Sequence, residues 1–277
     1  MVTTTRSCIR RPAVAGYYYP EEPEALRQAI CQLIQRQPEA SSVAPRAIMV
    51  PHGSLQQSGA VSAAVFGRLR VPRRCVLVGP SHTNSAMRWA VFAGGSYRTP
   101  LGDVEVDAGI AAALLERCGW LERDAWAHRG EHALEVILPF LQWARPEGFS
   151  IVPVVTSSDV LSECADVGQA LAEVLGPLGE DVLLIASSDL SQYEAAQAGA
   201  AKDRRLLARI LALDAQGLLR AVQEEPALMC GAGAVACVLI AARRLGATRA
   251  DLLQYDTSLN VGGDPHSVIG YAGVALS

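Results

Sequence analysis

The chain has 277 residues, of which 50% are hydrophobic and 19% are charged. This composition is typical of a globular protein with a substantial core, and it excludes an intrinsically disordered chain. The formal net charge of -4 at pH 7 provides no electrostatic basis for binding nucleic acid or an anionic membrane. We therefore expect neither as a partner.

The cysteines and the apolar segments indicate a cellular compartment. The seven cysteines are scattered and include no CxxC pair, a pattern that favours reduced thiols. The longest apolar run, 232–242, is too short to span a membrane. The N-terminus lacks the apolar stretch of a signal peptide, so we expect a cytoplasmic protein.

Short apolar runs alternate with helical patterns along the chain. The predicted strands are 46–50, 74–79, 88–93, 150–156, 181–187, 251–256 and 268–275. The predicted helices are 22–36, 58–69, 107–118, 131–144, 159–175, 197–213 and 231–245, with Ser58 and Asp107 among the predicted N-caps. This order predicts a single α/β domain over residues 1–277. Its central, mostly parallel (mixed) sheet would be flanked by helices on both faces.

Two histidines follow predicted strands in matching contexts. His52 comes after a buried run and Pro51, and His82 comes after the next run and Pro80. A proline ends a strand and directs the following side chain into the crevice at the strands' carboxyl ends, where ligands bind in α/β proteins. The two imidazoles therefore indicate half of a metal site.

Two further residues are candidates to complete this site. Asp189 follows the predicted strand 181–187 and can orient an imidazole, bind a metal or cap a helix. Cys230 precedes the apolar helical pattern 231–245, where free N–H groups and the helix dipole would stabilise a thiolate. Two imidazoles and a thiolate suit iron, copper or zinc better than magnesium or calcium.

The remaining histidines divide into two groups. His132 follows Glu131 at the start of a predicted helix, where reduced proton affinity would keep the imidazole neutral beside a ligand. The alternative for His132 is a surface position in the capping region. His128 and His266 lie in polar stretches, and we expect both to be solvated.

Eight motifs, in order from about residue 11 to the C-terminus, together resemble the MEMO family, whose bacterial members are often called AmmeMemoRadiSam system protein B. The motifs are Val14–Pro20, Pro51–His52, Gly79–His82, Tyr97–Gly102, Glu131–His132, Ser187–Ser191, Cys230–Gly231 and Gly270–Gly273. The resemblance implies a LigB-like fold, shared with the class III extradiol dioxygenases, which are non-haem Fe(II) enzymes. We expect the tyrosine-rich segment 15–20 to pack over a sheet edge or the mouth of the site.

The resemblance also implies a set of metal ligands, namely His52, His82 and Cys230. The cysteine stands where the dioxygenases carry a glutamate. Fe(II) is the first expectation for the metal, ahead of copper, with zinc ranked last. The candidate catalytic residues are Asp189 and His132.

Three further residues are expected to bind substrate or to support the ligands: Ser81, Glu131 and Gln192. Gln192 is a departure from the family pattern, which has a histidine there that corresponds to the general acid/base of the dioxygenases. Glutamine cannot take a proton at neutral pH, so this chemistry cannot depend on Gln192. In a second departure, Leu55 replaces the family's tyrosine near the first ligand.

We consider three functions. The first is a MEMO-type metal-binding protein with a redox or oxygen-activating role. The second is a non-haem iron oxygenase acting on an unknown small substrate. The third is a non-catalytic module that binds a peptide or protein. Each places a small-molecule or peptide ligand in the crevice.

Overall fold

A computed structural model describes residues 8–38, 43–83, 87–225 and 229–277. Its strands are β1 (Ile9–Arg10), β2 (Ala47–Val50), β3 (Arg74–Pro80), β4 (Trp89–Val91), β5 (Ser96–Thr99), β6 (Gly102–Val106), β7 (Glu122–Arg123), β8 (Ser150–Thr156), β9 (Val182–Ser187), β10 (Ala250–Thr257) and β11 (Gly270–Leu276). Its α-helices are α1 (Pro23–Gln35), α2 (Leu55–Phe66), α3 (Ala108–Arg117), α4 (Trp126–Arg129), α5 (Leu138–Ala144), α6 (Leu161–Leu175), α7 (Ala196–Leu211), α8 (Ala215–Glu224) and α9 (Ala232–Arg244). Short 3-10 helices span Glu135–Ile137, Gly176–Asp181 and Ser258–Val261.

The strands of the described residues form one mixed sheet. Its central strands, in the order β6-β8-β3-β9-β2, are all parallel. Antiparallel β11 and β10 extend the sheet beyond β2, while β5 and β1 extend it beyond β6. The predicted α/β architecture is confirmed. Among the described helices, none combines the length and apolar character needed to cross a membrane.

Both faces of the central sheet are buried. In β3, Val76 and Val78 belong to one apolar cluster, whereas Leu77 belongs to the other. Successive side chains of a strand point to opposite faces, so each cluster covers one face. Helices α6 and α9 pack in the first cluster, and α1, α2 and α5 pack in the second. Burial on both faces explains why these strands read as continuous apolar runs.

All seven predicted strands are present, within two residues at each end. The hairpin of β5 and β6 escaped prediction because its residues are largely polar. The predicted cap at Asp107 is confirmed, since its carboxylate accepts a hydrogen bond from the N–H of Ile110 at 3.0 Å. The predicted cap at Ser58 is wrong, because α2 begins earlier and Ser54 occupies its N-cap position.

A buried ion pair holds the N-terminal segment against the sheet. The side chains of Arg10 and Glu135 are 2% and 0% exposed and form a direct salt bridge. Glu135 also accepts hydrogen bonds from the N–H groups of Ala13 and Val14, at 2.8 and 3.1 Å, and from the Tyr19 hydroxyl. One carboxylate therefore fixes the segment that ends in the tyrosine-rich motif.

The same arginine supports the loop that precedes the site. Arg10 donates to the carbonyl oxygens of His128, at 2.9 Å, and of Glu131. His128 is fully buried, which contradicts the expected solvated position. Its Nε2 lies 3.2 Å from the carbonyl oxygen of Ala90 and its Nδ1 lies 2.7 Å from the Tyr97 hydroxyl. A carbonyl only accepts, so Nε2 carries the proton and Nδ1 accepts from Tyr97.

We predict that Glu135→Gln lowers the free energy of unfolding by about 3–5 kcal/mol, because it leaves the Arg10 guanidinium buried without a counter-charge. Urea unfolding at pH 7 measures this change. Glu173→Gln is the matched control, since Glu173 and Arg117 form an exposed pair. We expect the control to cost at most about 1 kcal/mol. Equal losses in the two variants would show that Arg10 does not depend on Glu135.

Candidate metal centre

Three parallel strands determine where the candidate residues meet. Strands β3, β9 and β2 are neighbours in the sheet, so their carboxyl ends share one edge. His82, Asp189 and His52 each lie two residues beyond the end of one of these strands. The imidazole centroids of His52 and His82 are 5.1 Å apart. The structure thus brings the two histidines of the matching motifs together.

His52 is held in one orientation and one tautomer. Its backbone N–H donates to Asp189 Oδ1 at 2.9 Å. Ser187 Oγ donates to the carbonyl oxygen of Ala133 at 2.7 Å, so it accepts from Nδ1–H of His52 at 2.8 Å. The proton is therefore assigned to Nδ1. The Nε2 lone pair faces Cys230, whose Sγ lies 3.2 Å away.

Glu131 orients His82 in the same manner. The buried carboxylate accepts from both the backbone N–H and Nδ1–H of His82, the latter at 2.9 Å, and from the N–H of Ala133 at 2.9 Å. A carboxylate on Nδ1 leaves Nε2 free and makes it a better metal ligand. The sequence predicted that Glu131 binds substrate or supports a ligand, and the structure places its carboxylate on His82.

The ion pair between His82 and Glu131 shifts the pKa values of the two groups in opposite directions. Desolvation lowers the pKa of His82, but the hydrogen bond and charge of Glu131 outweigh it, so the net pKa is raised. Desolvation raises the pKa of Glu131, but the bonds from His82 outweigh it and lower the pKa to about 2. Glu131 is therefore ionised throughout the physiological range.

His132 lies between the histidine pair and the N-terminal segment. Its ring stacks on that of His82, with centroids 4.7 Å apart, and lies edge-on to that of His52 at 5.5 Å. The ring of Tyr18 packs on it with a centroid distance of 4.9 Å. The tyrosine-rich segment therefore packs over the mouth of the site, one of the two positions expected from the sequence.

Burial keeps two of these imidazoles neutral. It lowers the pKa of His52 to about 3, assisted by the charge of His82. It lowers the pKa of His132 to about 4. His132 is neutral as expected, but the cause is burial. The helix predicted over 131–144 begins only at Glu135, so His132 does not lie in its first turn.

Cys230 and Asp189 complete the cluster. Cys230 is partly buried immediately before Gly231, the N-cap of α9. Burial, assisted by the charge of Asp189, raises the pKa of the Cys230 thiol to about 12. Burial therefore outweighs the backbone hydrogen bonds that stabilise the thiolate, and the metal-free protein favours the neutral thiol. Burial also raises the pKa of Asp189 to about 6, against the opposing effect of the His52 N–H bond.

Two overlapping triplets of donor atoms could hold a metal ion. The ligand atoms of His52, His82 and His132 all lie within 4.8 Å of one another. The same is true of His52, Asp189 and Cys230. His52 belongs to both triplets, whereas His82 belongs only to the first and Cys230 only to the second.

The other sequence-predicted residues contribute to loops. The hydroxyl of Ser81 donates to the carbonyl oxygen of Thr83 at 2.8 Å, which supports the turn that carries His82. Gln192 is partly buried in the loop between β9 and α7, three residues beyond Asp189.

Sequence reasoning missed two residues with clear roles. Ser187 fixes the tautomer of His52, and Tyr18 packs on His132. Both belong to recognised motifs, and the polar pair Ser187-Ser188 at the end of an apolar strand was the available signal.

The family model "Memo-like protein" matches residues 10–275. The chain belongs to this family. A MEMO1 family protein of Methanopyrus kandleri is 37% identical over 278 residues, covering 96% of this chain and 98% of its own length. The MEMO1 family protein of Methanothermobacter thermautotrophicus is 38% identical over 274 residues, covering 95% and 99%. That of Aquifex aeolicus is 35% identical over 267 residues, covering 96% and 98%.

A solved structure shows the same fold at low sequence identity. It is the crystal structure of an uncharacterized protein from Escherichia coli K12, with a TM-score of 0.52 and 13% identity. The match covers 83% of this chain and 99% of that one. For this member of the Memo-like family, the neighbour supports the fold alone.

We predict that His82 in the metal-free protein titrates above its ordinary pKa of 6.5, and that Glu131→Gln lowers this pKa below 6.5. The sign follows because Glu131 stabilises the imidazolium while burial opposes it. NMR titration of the imidazole nitrogens measures each ring separately, and His52 should stay neutral down to pH 5 in both proteins. Glu163→Gln is the control, since it removes another buried carboxylate. A His82 pKa insensitive to Glu131→Gln would contradict the assignment.

Proposed function

We propose that this protein binds one redox-active transition metal ion, iron first and copper second, through His52, His82 and Cys230, and that the centre has a redox or oxygen-activating role. The observation that carries the proposal is the orientation of the two histidines. Ser187 and Glu131 accept from both Nδ1–H groups, so the two Nε2 atoms are the ring nitrogens that can serve as ligands.

The chemistry of the donor set fits such an ion. Cys230 Sγ and Asp189 Oδ2 lie 3.2 and 3.9 Å from His52 Nε2, close to the separations of atoms that share one metal. A mixed set of imidazole and thiolate donors selects transition metals rather than magnesium or calcium. When bound, such an ion supplies one-electron chemistry and polarises a small ligand at an open position.

The thiol of Cys230 couples metal binding to proton release. Its raised pKa means that the free protein holds a neutral thiol, which donates to the lone pair of His52 Nε2. Only the thiolate is a strong ligand, so binding must release this proton. Asp189 is the adjacent buried carboxylate, and burial raises its pKa to about 6, which equips it to exchange protons near neutral pH.

His132 favours a second candidate function, a non-haem iron oxygenase. Gln192 cannot act as the general base that the dioxygenases carry at this position. His132 is neutral, and its ring is within 5.5 Å of the ring of His52, so it offers a base elsewhere in the pocket. We rank this function second because a cysteine replaces the dioxygenase glutamate.

A small molecule is the proposed ligand of the crevice, with a peptide as the alternative. The proposed compartment is the reducing cytoplasm, in keeping with seven cysteines that are all free. A reduced environment also preserves the Cys230 thiol that the metal requires.

We predict one bound metal ion per chain in protein purified without oxygen, measured by elemental analysis. His52→Ala and Cys230→Ser should each weaken binding by more than about 100-fold, since even a partner of a ligand contributes up to about that factor. Chelator competition gives the affinities.

The controls replace the same residue types outside the cluster. His266→Ala and Cys8→Ser alter an exposed histidine and an exposed cysteine, and both should bind metal as the wild type does. Full metal occupancy in both His52→Ala and Cys230→Ser would eliminate the site.

The oxygenase candidate has a separate test. We expect the Fe(II)-loaded protein to leave a panel of catechols intact, monitored by the absence of the yellow ring-cleavage product. Cleavage by the wild type that is lost in His132→Gln, with metal content unchanged, would instead establish the second function.

A further inference from the structure

One buried hydroxyl beside the centre has no hydrogen-bond partner. Tyr271, near the start of β11, is fully buried, and within the described residues its hydroxyl oxygen finds no donor or acceptor. Other tyrosine hydroxyls behave differently. Those of Tyr19, Tyr97 and Tyr255 bond to Glu135, His128 and Asp203. A buried polar group without a partner is costly, so it points to a ligand that the protein is built to hold.

The strand register places Tyr271 beside the first histidine. In the antiparallel pair of β11 and β2, Val274 lies opposite Met49 and Leu276 opposite Ala47. Tyr271 and His52 each lie three residues beyond the Val274–Met49 pair, toward the same end of the two strands. The edge of the phenol ring lies over Gly53, where a Cβ atom would be 3.1 Å from Tyr271 Cε1.

The loop that carries Asp189 is hydrogen-bonded to the residue that precedes the tyrosine. The N–H of Leu190 donates to the carbonyl oxygen of Gly270 at 2.8 Å, and the N–H of Gly270 donates to the carbonyl oxygen of Ser191 at 2.9 Å. These bonds hold the start of β11, and with it Tyr271, against the Asp189 loop. Burial raises the pKa of Tyr271, and the charge of Asp189 raises it further, so the phenol stays protonated and acts as a donor.

We infer that Tyr271 is a ligand-binding residue of the centre, whose hydroxyl donates a hydrogen bond to a small anionic or carbonyl-bearing molecule that enters beside His52 and Asp189. This inference rests on the proposed metal site and adds the class of ligand. A neutral donor in a dry pocket stabilises negative charge on an acceptor atom.

The test uses azide as the probe and Tyr271→Phe as the variant. The protein is loaded with Co(II), and its visible absorption reports both metal uptake and azide binding. Tyr271→Phe should keep the metal affinity and raise the azide Kd by at least about tenfold, the effect of losing one hydrogen bond to a charged acceptor. Its melting temperature should not fall, because no hydrogen bond within the protein is lost.

Tyr255→Phe is the matched control. It removes a partly buried hydroxyl that donates to Asp203 at 2.7 Å, so it should lower the melting temperature and leave the azide Kd unchanged. A crystal structure of the wild-type Co(II)–azide complex gives an independent measurement. It should place the Tyr271 hydroxyl within about 3.2 Å of an azide nitrogen.

The outcomes separate this inference from the proposed function. Wild-type protein that takes up no Co(II) would overturn both. Normal Co(II) uptake with the same azide Kd in wild type and Tyr271→Phe would overturn only the role of Tyr271.

Discussion

The hydrogen bonds that join the end of β2 to the end of β9 are the interaction on which the site depends. Asp189 accepts from the backbone N–H of His52, while Ser187 accepts from its ring. Both acceptors lie at the carboxyl end of β9, the strand that pairs directly with β2. Sheet pairing therefore sets the position of His52, its rotamer and its tautomer together, and the free Nε2 atom is a consequence of the strand order.

The second histidine depends on a longer chain of support. His82 is oriented by Glu131, the carbonyl oxygen of Glu131 is held by Arg10, and Arg10 is neutralised by Glu135. The same Glu135 fixes the N-terminal segment whose Tyr18 packs on His132. The centre is thus assembled from the strand ends on one side and from a buried ion pair on the other. Both supports lie in low-dielectric surroundings, where a satisfied polar network is rigid.

Electrostatics gives the neighbouring groups of the centre different protonation states. Burial alone favours the neutral form of every titratable group, and His52, His132 and Cys230 follow this rule. The pair of His82 and Glu131 departs from it, because each partner stabilises the charge of the other. The site therefore combines neutral donors with one anchored ion pair. Capture of a cation by these residues would release protons from the Cys230 thiol and from the His82 imidazolium.

The α/β class and all seven apolar strands could be predicted from the sequence, because strands buried on both faces are continuous apolar runs. The polar residue beyond each of three strands predicted His52, His82 and Asp189 as neighbours, whereas Cys230 and His132 were predicted from the starts of helical patterns. The sequence did not predict the hairpin of β5 and β6, whose residues are largely polar. It also predicted a solvated His128, because the partners that bury this residue are distant along the chain and leave no local pattern. The helix terminus after Cys230 predicted a stabilised thiolate, whereas burial and the charge of Asp189 raise the pKa of the thiol and favour its neutral form. Only packing shows that Ser187 accepts from the ring of His52 and that Glu131 accepts from the ring of His82. These contacts join residues more than forty positions apart in sequence, and only sheet pairing and packing bring them together.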